Sequence, residues 1–168
     1  MPEKETVFSS KVKYKGIFSF KDFYQFCYDW VDGELDMDLQ EKKYSEKLIG
    51  DAKMMEIRWE AEKELTDYFR FDAKITFIVE DLKKVEVSNG GVKVETNKGV
   101  VKLKVEGILV KDYKGKFETS AFNKFLRGIY EKWIIESKVE EFKAEIAEEC
   151  DELLLQMKAY LDLEGKHE

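Results

Sequence analysis

The feature that most constrains this chain is an amphipathic run from Ser120 to Leu163 that contains no proline. Its apolar residues recur three and four positions apart, the spacing that places side chains on one face of an α-helix. We therefore predict one long helix over about 120–163, or two helices nearly end to end. The first apolar stripe is Phe122, Phe125, Leu126, Ile129 and Trp133, and the second is Ile135, Val139, Phe142, Ile146, Cys150, Leu153, Met157 and Tyr160.

The length of this helix limits how it can be accommodated. It would span roughly 60 Å, whereas a compact domain of this size is roughly 40 Å across. Strands of ordinary length cover only about 17–35 Å of a helix. The apolar face also rotates between Trp133 and Ile135, so we expect either a bend near 136–138 or a helix end that packs on a partner.

The second stripe is the predicted interface in that case. Its near-heptad steps favour packing on another helix, and the simplest partner is a second copy related by a two-fold axis. The side chains predicted to form this interface are Ile146, Leu153, Met157 and Tyr160.

Composition indicates one folded domain over 1–168. The chain is 43% hydrophobic and 14% aromatic, enough for a sizeable core. A net charge of −7 argues against a nucleic-acid-binding face. Since no apolar run is long enough to cross a bilayer and the N-terminus lacks an apolar leader, we expect a cytoplasmic protein. The Lys/Glu bias is typical of thermophiles, and also of AT-rich genomes.

The residues that usually carry catalysis or metal binding are scarce. The only histidine, His167, is next to the last residue, and Cys27 and Cys150 lie in apolar helical stripes as predicted free thiols. Aspartates and a glutamate alternate over 32–38 as in a calcium loop, but Met37 and Lys43 stand where glycine and a bidentate glutamate are needed. We therefore expect no catalytic residue, no metal and no cofactor, and the sequence points away from an enzyme.

The N-terminal third predicts a strand followed by short helices. Residues 6–18 alternate, with Lys11, Lys13 and Lys15 on the polar face. Outward lysines discourage edge pairing, and by themselves they are not a convincing polyanion site. A helix is predicted from Phe20 to about Val31, and a second short one over 39–49.

The middle of the chain predicts an antiparallel meander. Period-two patterns over 55–61 and 69–79 indicate strands joined by a turn or bulge at 63–67. Asn89-Gly90 predicts a tight hairpin, and a second turn is expected at 97–99. The predicted core between sheet and helix comprises Trp59, Phe71, Ile75, Phe77, Leu103, Phe122, Leu126 and Trp133.

The resulting fold class is α+β, with a mainly antiparallel sheet of about five or six strands, one or two short N-terminal helices and a long C-terminal helix across the sheet. This order resembles the helix-grip fold of the START and Bet v 1-like proteins. The resemblance covers most of the chain but concerns element order alone, so no functional residues are carried over. A flat sheet packed on helices without a cavity is the alternative.

Two functions follow as hypotheses. The first is a non-catalytic binding or assembly module that uses the amphipathic C-terminal helix, as a homodimer or with another protein. The second, implied by the helix-grip resemblance, is a carrier of an apolar small molecule or lipid in a cavity between sheet and helix. The residues expected to line such a cavity are Trp59, Phe71, Phe77, Phe125 and Trp133.

Overall fold

The computed structural model describes residues 3–115, 120–129, 132 and 136–165. Five antiparallel strands form one sheet in the order β1-β5-β4-β3-β2. The strands are β1 Glu3–Phe18, β2 Asp38–Ile49, β3 Ala52–Glu64, β4 Phe69–Asn89 and β5 Val92–Lys111. The helices are α1 Phe20–Asp29, continued by a π-helical segment Trp30–Glu34, then α2 Ala121–Ile129 and α3 Glu136–Gly165. The predicted α+β class is confirmed.

The core lies between one face of the sheet and a layer formed by α1 and α3. A long C-terminal helix packed on an antiparallel sheet is the general helix-grip arrangement. Gly107 of β5 brings α3 close to the sheet. A Cβ atom at this position would lie 2.7 Å from Cys150 Sγ and 2.8 Å from Ile146 Cγ2. The side chains that α3 buries are Val139, Ile146, Cys150, Leu153, Leu154, Met157 and Leu161.

Residues 39–49 form strand β2, so the short helix predicted there is wrong. Glutamate, lysine and glutamine favour helix locally, but β2 pairs with β3 from Asp38–Glu62 to Ile49–Ala52. Gly50, with φ +66°, lies in the turn between the two strands. Tertiary pairing outweighs local propensity here, because an unpaired β3 would leave a row of backbone groups without partners.

The hairpin between β4 and β5 is confirmed, with its turn one residue later than predicted. Asn89 pairs with Val92 inside the ladder, and the turn residues are Gly90 and Gly91, with φ +60° and +85°. Positive φ at both central residues is the type I′ geometry that suits strand twist.

The turn predicted at 97–99 is wrong, because β5 continues through it without a break. Gly99 pairs with Gly16 of β1. A Cβ atom on Gly99 would lie 3.0 Å from the Glu80 carbonyl oxygen, next to the register shift between Glu80 and Lys83. The glycine therefore permits a close approach of β4 at its bulge rather than a reversal of the chain.

The described part of the C-terminal run contains two helices, which is one of the two predicted forms. α2 is described from Ala121 to Ile129 and α3 from Glu136 to Gly165, so residues 136–138 lie within α3. Most residues between the two helices lie outside the described ranges, and the expected bend stays a prediction. α3 spans about 45 Å and packs mainly on β1 and β5, whose 16 and 20 residues extend over about 50–70 Å. The expectation that the sheet is too short failed because these strands are unusually long.

The predicted core is confirmed for its five sheet residues, Trp59, Phe71, Ile75, Phe77 and Leu103, which are all buried. It is wrong for Phe122 and Leu126 of α2, which are 66% and 37% exposed, and Trp133 lies outside the described residues. No helix in the described part of the chain is long and apolar enough to cross a membrane.

Candidate functional site

The stripe predicted as an interface lies against this chain's own sheet. Ile146, Leu153 and Met157 are fully buried in the domain core. Tyr160 is half-buried and stacks on Phe26 of α1, with ring centroids 4.6 Å apart. These four side chains are therefore used by the intramolecular packing of α3.

Four of the residues predicted to line a ligand cavity are described, and these four are not brought together around one space. Trp59 and Phe77 pack edge to face with centroids 4.8 Å apart, and Tyr24 of α1 lies 5.2 Å from Trp59. Rings from α1 thus occupy the space between sheet and helix at this point. Phe71 is also buried, whereas Phe125 lies on α2 and is 63% exposed. Trp133 is outside the described residues.

The apolar face of helix α2 is exposed, and ion pairs made by Arg127 join the helix to the sheet. Arg127 lies 3.6 Å from Glu3 and 3.7 Å from Asp112, a buried carboxylate at the end of β5. Contacts of this kind hold a helix more loosely than a buried apolar stripe. The exposed apolar residues of α2 are Phe122, Phe125, Leu126 and Ile129.

The two sides of the domain differ sharply in charge. Helix α3 contains ten carboxylates and three lysines, a net charge of −7 that equals the net charge of the whole chain. The remainder of the chain is therefore neutral overall, and a basic surface elsewhere is compatible with an acidic protein. The α3 carboxylates that are exposed include Glu140, Glu141, Glu145, Glu148 and Glu152.

The face of the sheet opposite α1 and α3, here called the open face, carries the basic side chains. Strand pairing aligns Lys11 of β1 with Lys104 of β5, and Lys13 with Lys102. These four lysines are called the lysine surface. In β4 the next residues across are Thr76 beside Lys104 and Ile78 beside Lys102. Further across lie Arg58 and Glu56 of β3, then Lys43 and Ser45 of β2.

A groove of about 390 Å³ lies on the lysine surface. Its lining includes all four lysines together with Thr76 and Ile78. Lysine side chains can lay their apolar stems along such a floor while the ammonium groups remain in water. The groove therefore combines four ammonium groups, the hydroxyl group of Thr76 and the apolar side chain of Ile78 within a single shallow site.

The carboxylates near the groove neutralise only part of its charge. Lys102 Nζ lies 2.9 Å from Glu80 Oε1, and Lys104 Nζ lies 2.7 Å from Glu106 Oε1. Among the described residues, neither Lys11 nor Lys13 has a carboxylate within ion-pair distance. The edge of the groove formed by β1 thus carries two uncompensated ammonium groups.

On β2 and β3, the charges of the open face are balanced in a different way. Glu56 accepts hydrogen bonds from both Lys43, at 2.7 Å, and Arg58, at 2.8 Å. The bond from Lys43, followed by its charge and by Arg58, lowers the pKa of Glu56. One carboxylate is therefore shared by two cations on this side of the sheet, and the open face keeps an excess of positive charge.

Lysines placed directly opposite one another are unfavourable, because like charges on neighbouring strands repel. The structure nevertheless holds two such pairs side by side, Lys11–Lys104 and Lys13–Lys102. Violations of local preference concentrate at functional sites. The β1 lysines are visible in the sequence as an alternating pattern. Their juxtaposition with Lys102 and Lys104 depends on the β1–β5 register, which the sequence pattern does not reveal.

The two cysteine side chains belong to the hydrophobic core. Cys27 and Cys150 are free and buried, and burial raises the pKa of both thiols, that of Cys150 to about 12. Each thiol therefore stays protonated at neutral pH. Within the described ranges, no group of three or more His, Cys, Asp or Glu residues is positioned to hold a metal ion.

Comparison of the chain with protein-family models, curated proteins and solved structures found no match.

Proposed function

We propose that this chain is a non-catalytic binding module with a helix-grip-like arrangement, and that it binds polyanionic ligands through the lysine surface. The observation that carries the proposal is the pairing of four lysines across β1 and β5, two of which have no carboxylate partner among the described residues. An anion with several negative oxygens would relieve the repulsion between these ammonium groups.

The chemistry of the groove favours clustered phosphates or carboxylates. Lysine acts as a compact, mobile point charge that binds phosphate without demanding one geometry. Thr76 adds a hydroxyl donor beside Lys104. Binding of this kind is governed by long-range attraction and is weakened by salt.

The hypothesis of a carrier for an apolar small molecule has less support. Such a carrier needs an enclosed apolar cavity, whereas Trp59, Phe77 and Tyr24 pack against one another between the sheet and the helix layer. The hypothesis of an assembly module that uses the C-terminal run stays a prediction, and the exposed apolar residues of α2 are the surface it would use.

The proposal is tested by isothermal titration calorimetry with inositol hexakisphosphate, a compact soluble polyanion. The variant K11Q/K13Q removes the two uncompensated charges. If each ion pair in water contributes about 1 kcal/mol at 4 Å, the loss of two weakens binding by a factor of about 30. At about 1 M salt, where the screening length is ~3 Å, binding of the unmodified protein should also be lost.

The matched control is K21Q/K138Q. Lys21 on α1 and Lys138 on α3 are exposed and lie on the helix side of the sheet, outside the groove, so this variant changes the net charge equally. It should bind inositol hexakisphosphate as the unmodified protein does. Equal loss in both variants, or no binding by the unmodified protein at low salt, would refute the proposal.

A further inference from the structure

The β4–β5 hairpin projects beyond the rest of the sheet. β3 pairs with β4 only as far as Leu82, and β1 pairs with β5 only as far as Asn97. The two strands continue to pair with each other up to Asn89–Val92. Residues 84–96 therefore form a two-stranded ribbon that none of the other described strands flanks.

One face of this ribbon is mainly apolar, with four valines beside Thr96. Val87 lies directly opposite Val94, and Val85 and Val92 share their face by the two-residue period of the strands. Val92 is 64% exposed and Val94 is 43% exposed. The other face is charged, with Glu86 opposite Glu95. An isolated two-stranded hairpin is marginally stable in water, so an uncovered valine face on such a ribbon requires an explanation beyond folding.

The valine face continues the open face of the sheet. Along β5, alternate residues run from Val92 and Val94 through Lys98 to Lys102 and Lys104. The strand is unbroken over this length and pairs regularly with β1 from Asn97 to Glu106. The valine face and the lysine surface thus follow one another along β5 on one side of the molecule. Helix α3, with its net charge of −7, lies on the other side.

We propose that the polyanion recognised by the lysine surface is an anionic lipid bilayer, with the valine face of the ribbon entering the headgroup boundary. This inference rests on the proposed function. Peripheral binding commonly needs two signals, an apolar group and a basic patch, because each alone is weak. The acidic layer of α3 is repelled by the same surface, which leaves one favourable orientation.

The apolar tip distinguishes a lipid surface from a nucleic acid. Valine side chains neither bind phosphates nor stack on bases, whereas proteins that bind single strands use aromatic platforms. Two rows of cross-strand partners cross the middle of the open face, one through Lys11 and Lys104 and the other through Lys13 and Lys102. Within the described strands, the residues of these two rows are lysine, arginine, threonine, serine, glutamate and isoleucine, with no aromatic ring among them. The ribbon therefore complements hydrocarbon better than it complements bases.

Vesicle co-sedimentation tests the inference with phosphatidylcholine vesicles that contain or lack phosphatidylserine. The unmodified protein should sediment only with the phosphatidylserine vesicles. The variant V92T/V94T keeps the shape and strand preference of the side chains but makes the tip polar. It should bind these vesicles about tenfold more weakly, while its affinity for inositol hexakisphosphate stays unchanged. K11Q/K13Q should bind both ligands more weakly, inositol hexakisphosphate by the factor of about 30 given above, and K21Q/K138Q should bind both as the unmodified protein does.

The outcomes separate the two proposals. Binding of inositol hexakisphosphate without vesicle binding overturns the lipid inference and leaves the proposed function standing. Absence of both overturns both. Full vesicle binding by V92T/V94T refutes insertion of the ribbon, as does tighter binding of duplex DNA than of vesicles at the same salt. Circular dichroism verifies folding, and V85T/V87T on the same face replaces the first valine variant if that variant does not fold.

Discussion

Replacing Gly107 with alanine would add a methyl group at the point where β5 meets α3. The new Cβ would lie 2.7 Å from Cys150 Sγ and 2.8 Å from Ile146 Cγ2. Carbon atoms in protein interiors rest about 3.5–4.0 Å apart, so the helix or the strand must move by about 1 Å. Ile146 and Cys150 are both buried, so neither side chain can withdraw into solvent.

The expected effect is a loss of stability. Overpacking a well-packed core typically costs about 1–3 kcal/mol. The lower entropy of the unfolded chain with alanine offsets about 0.4–1 kcal/mol of this. We therefore expect G107A to lower the free energy of unfolding by about 1–2 kcal/mol, which corresponds to a fall in Tm of about 2–8 °C for a chain of this size.

Urea denaturation monitored by circular dichroism measures the change. The matched control is G33A, because a Cβ atom on Gly33 would meet nothing within 4 Å, and its stability should stay close to that of the unmodified protein. A second variant, G107A/C150A, removes the sulfur atom that the methyl group meets. If the contact is the cause, the two changes should be less destabilising together than their sum. An unchanged midpoint for G107A, or equal effects at Gly107 and Gly33, would refute the reasoning.

Three further predictions concern the core, a turn and pH. Truncating Phe77, fully buried beside Trp59, to alanine should cost about 3–5 kcal/mol in urea denaturation, and a loss below about 1 kcal/mol would contradict its core position. Replacing Gly90, with φ +60°, by valine should lower stability by about 1 kcal/mol or more, because β-branched residues resist positive φ. An unaltered thermal midpoint would argue against this. Burial and the hydrogen bond to Glu41 raise the pKa of Tyr24 from 10.0 to about 12. The fold thus favours the neutral phenol, so this stabilisation is complete below pH 10.0 and is lost as the pH rises through about 12. Denaturation midpoints measured across that range should fall less steeply for Y24F than for the unmodified protein.

The net charge of the whole chain does not describe the charge of each of its surfaces. The net charge of −7 argues against a polyanion-binding face, yet this entire excess resides in α3. The sheet segregates the opposite charge on the face that α3 does not cover. Net charge is a sum over the chain, whereas binding responds to the local potential at one surface.

Local patterns in the sequence determined the features that depend on neighbouring residues. Period-two alternation places Trp59, Phe71 and Phe77 on the inward face of the sheet, since successive side chains point to opposite sides. Gly90 marks the hairpin because it accepts positive φ without strain. The apolar stripe from Val139 to Met157 likewise identified the buried face of α3 without revealing what would cover it.

The tertiary structure decided which segments of the chain pair with one another and which surfaces are covered. Residues 39–49 become a strand because β3 offers an edge. The stripe of α3 is covered because β1 and β5, on which it packs, run for 16 and 20 residues. The candidate site arises in the same way. Lys11 and Lys13 belong to one local pattern and Lys102 and Lys104 to another, about ninety residues later. Only the register of β1 against β5 sets them opposite each other, and register is selected by burial of the whole inward face rather than by the lysines themselves.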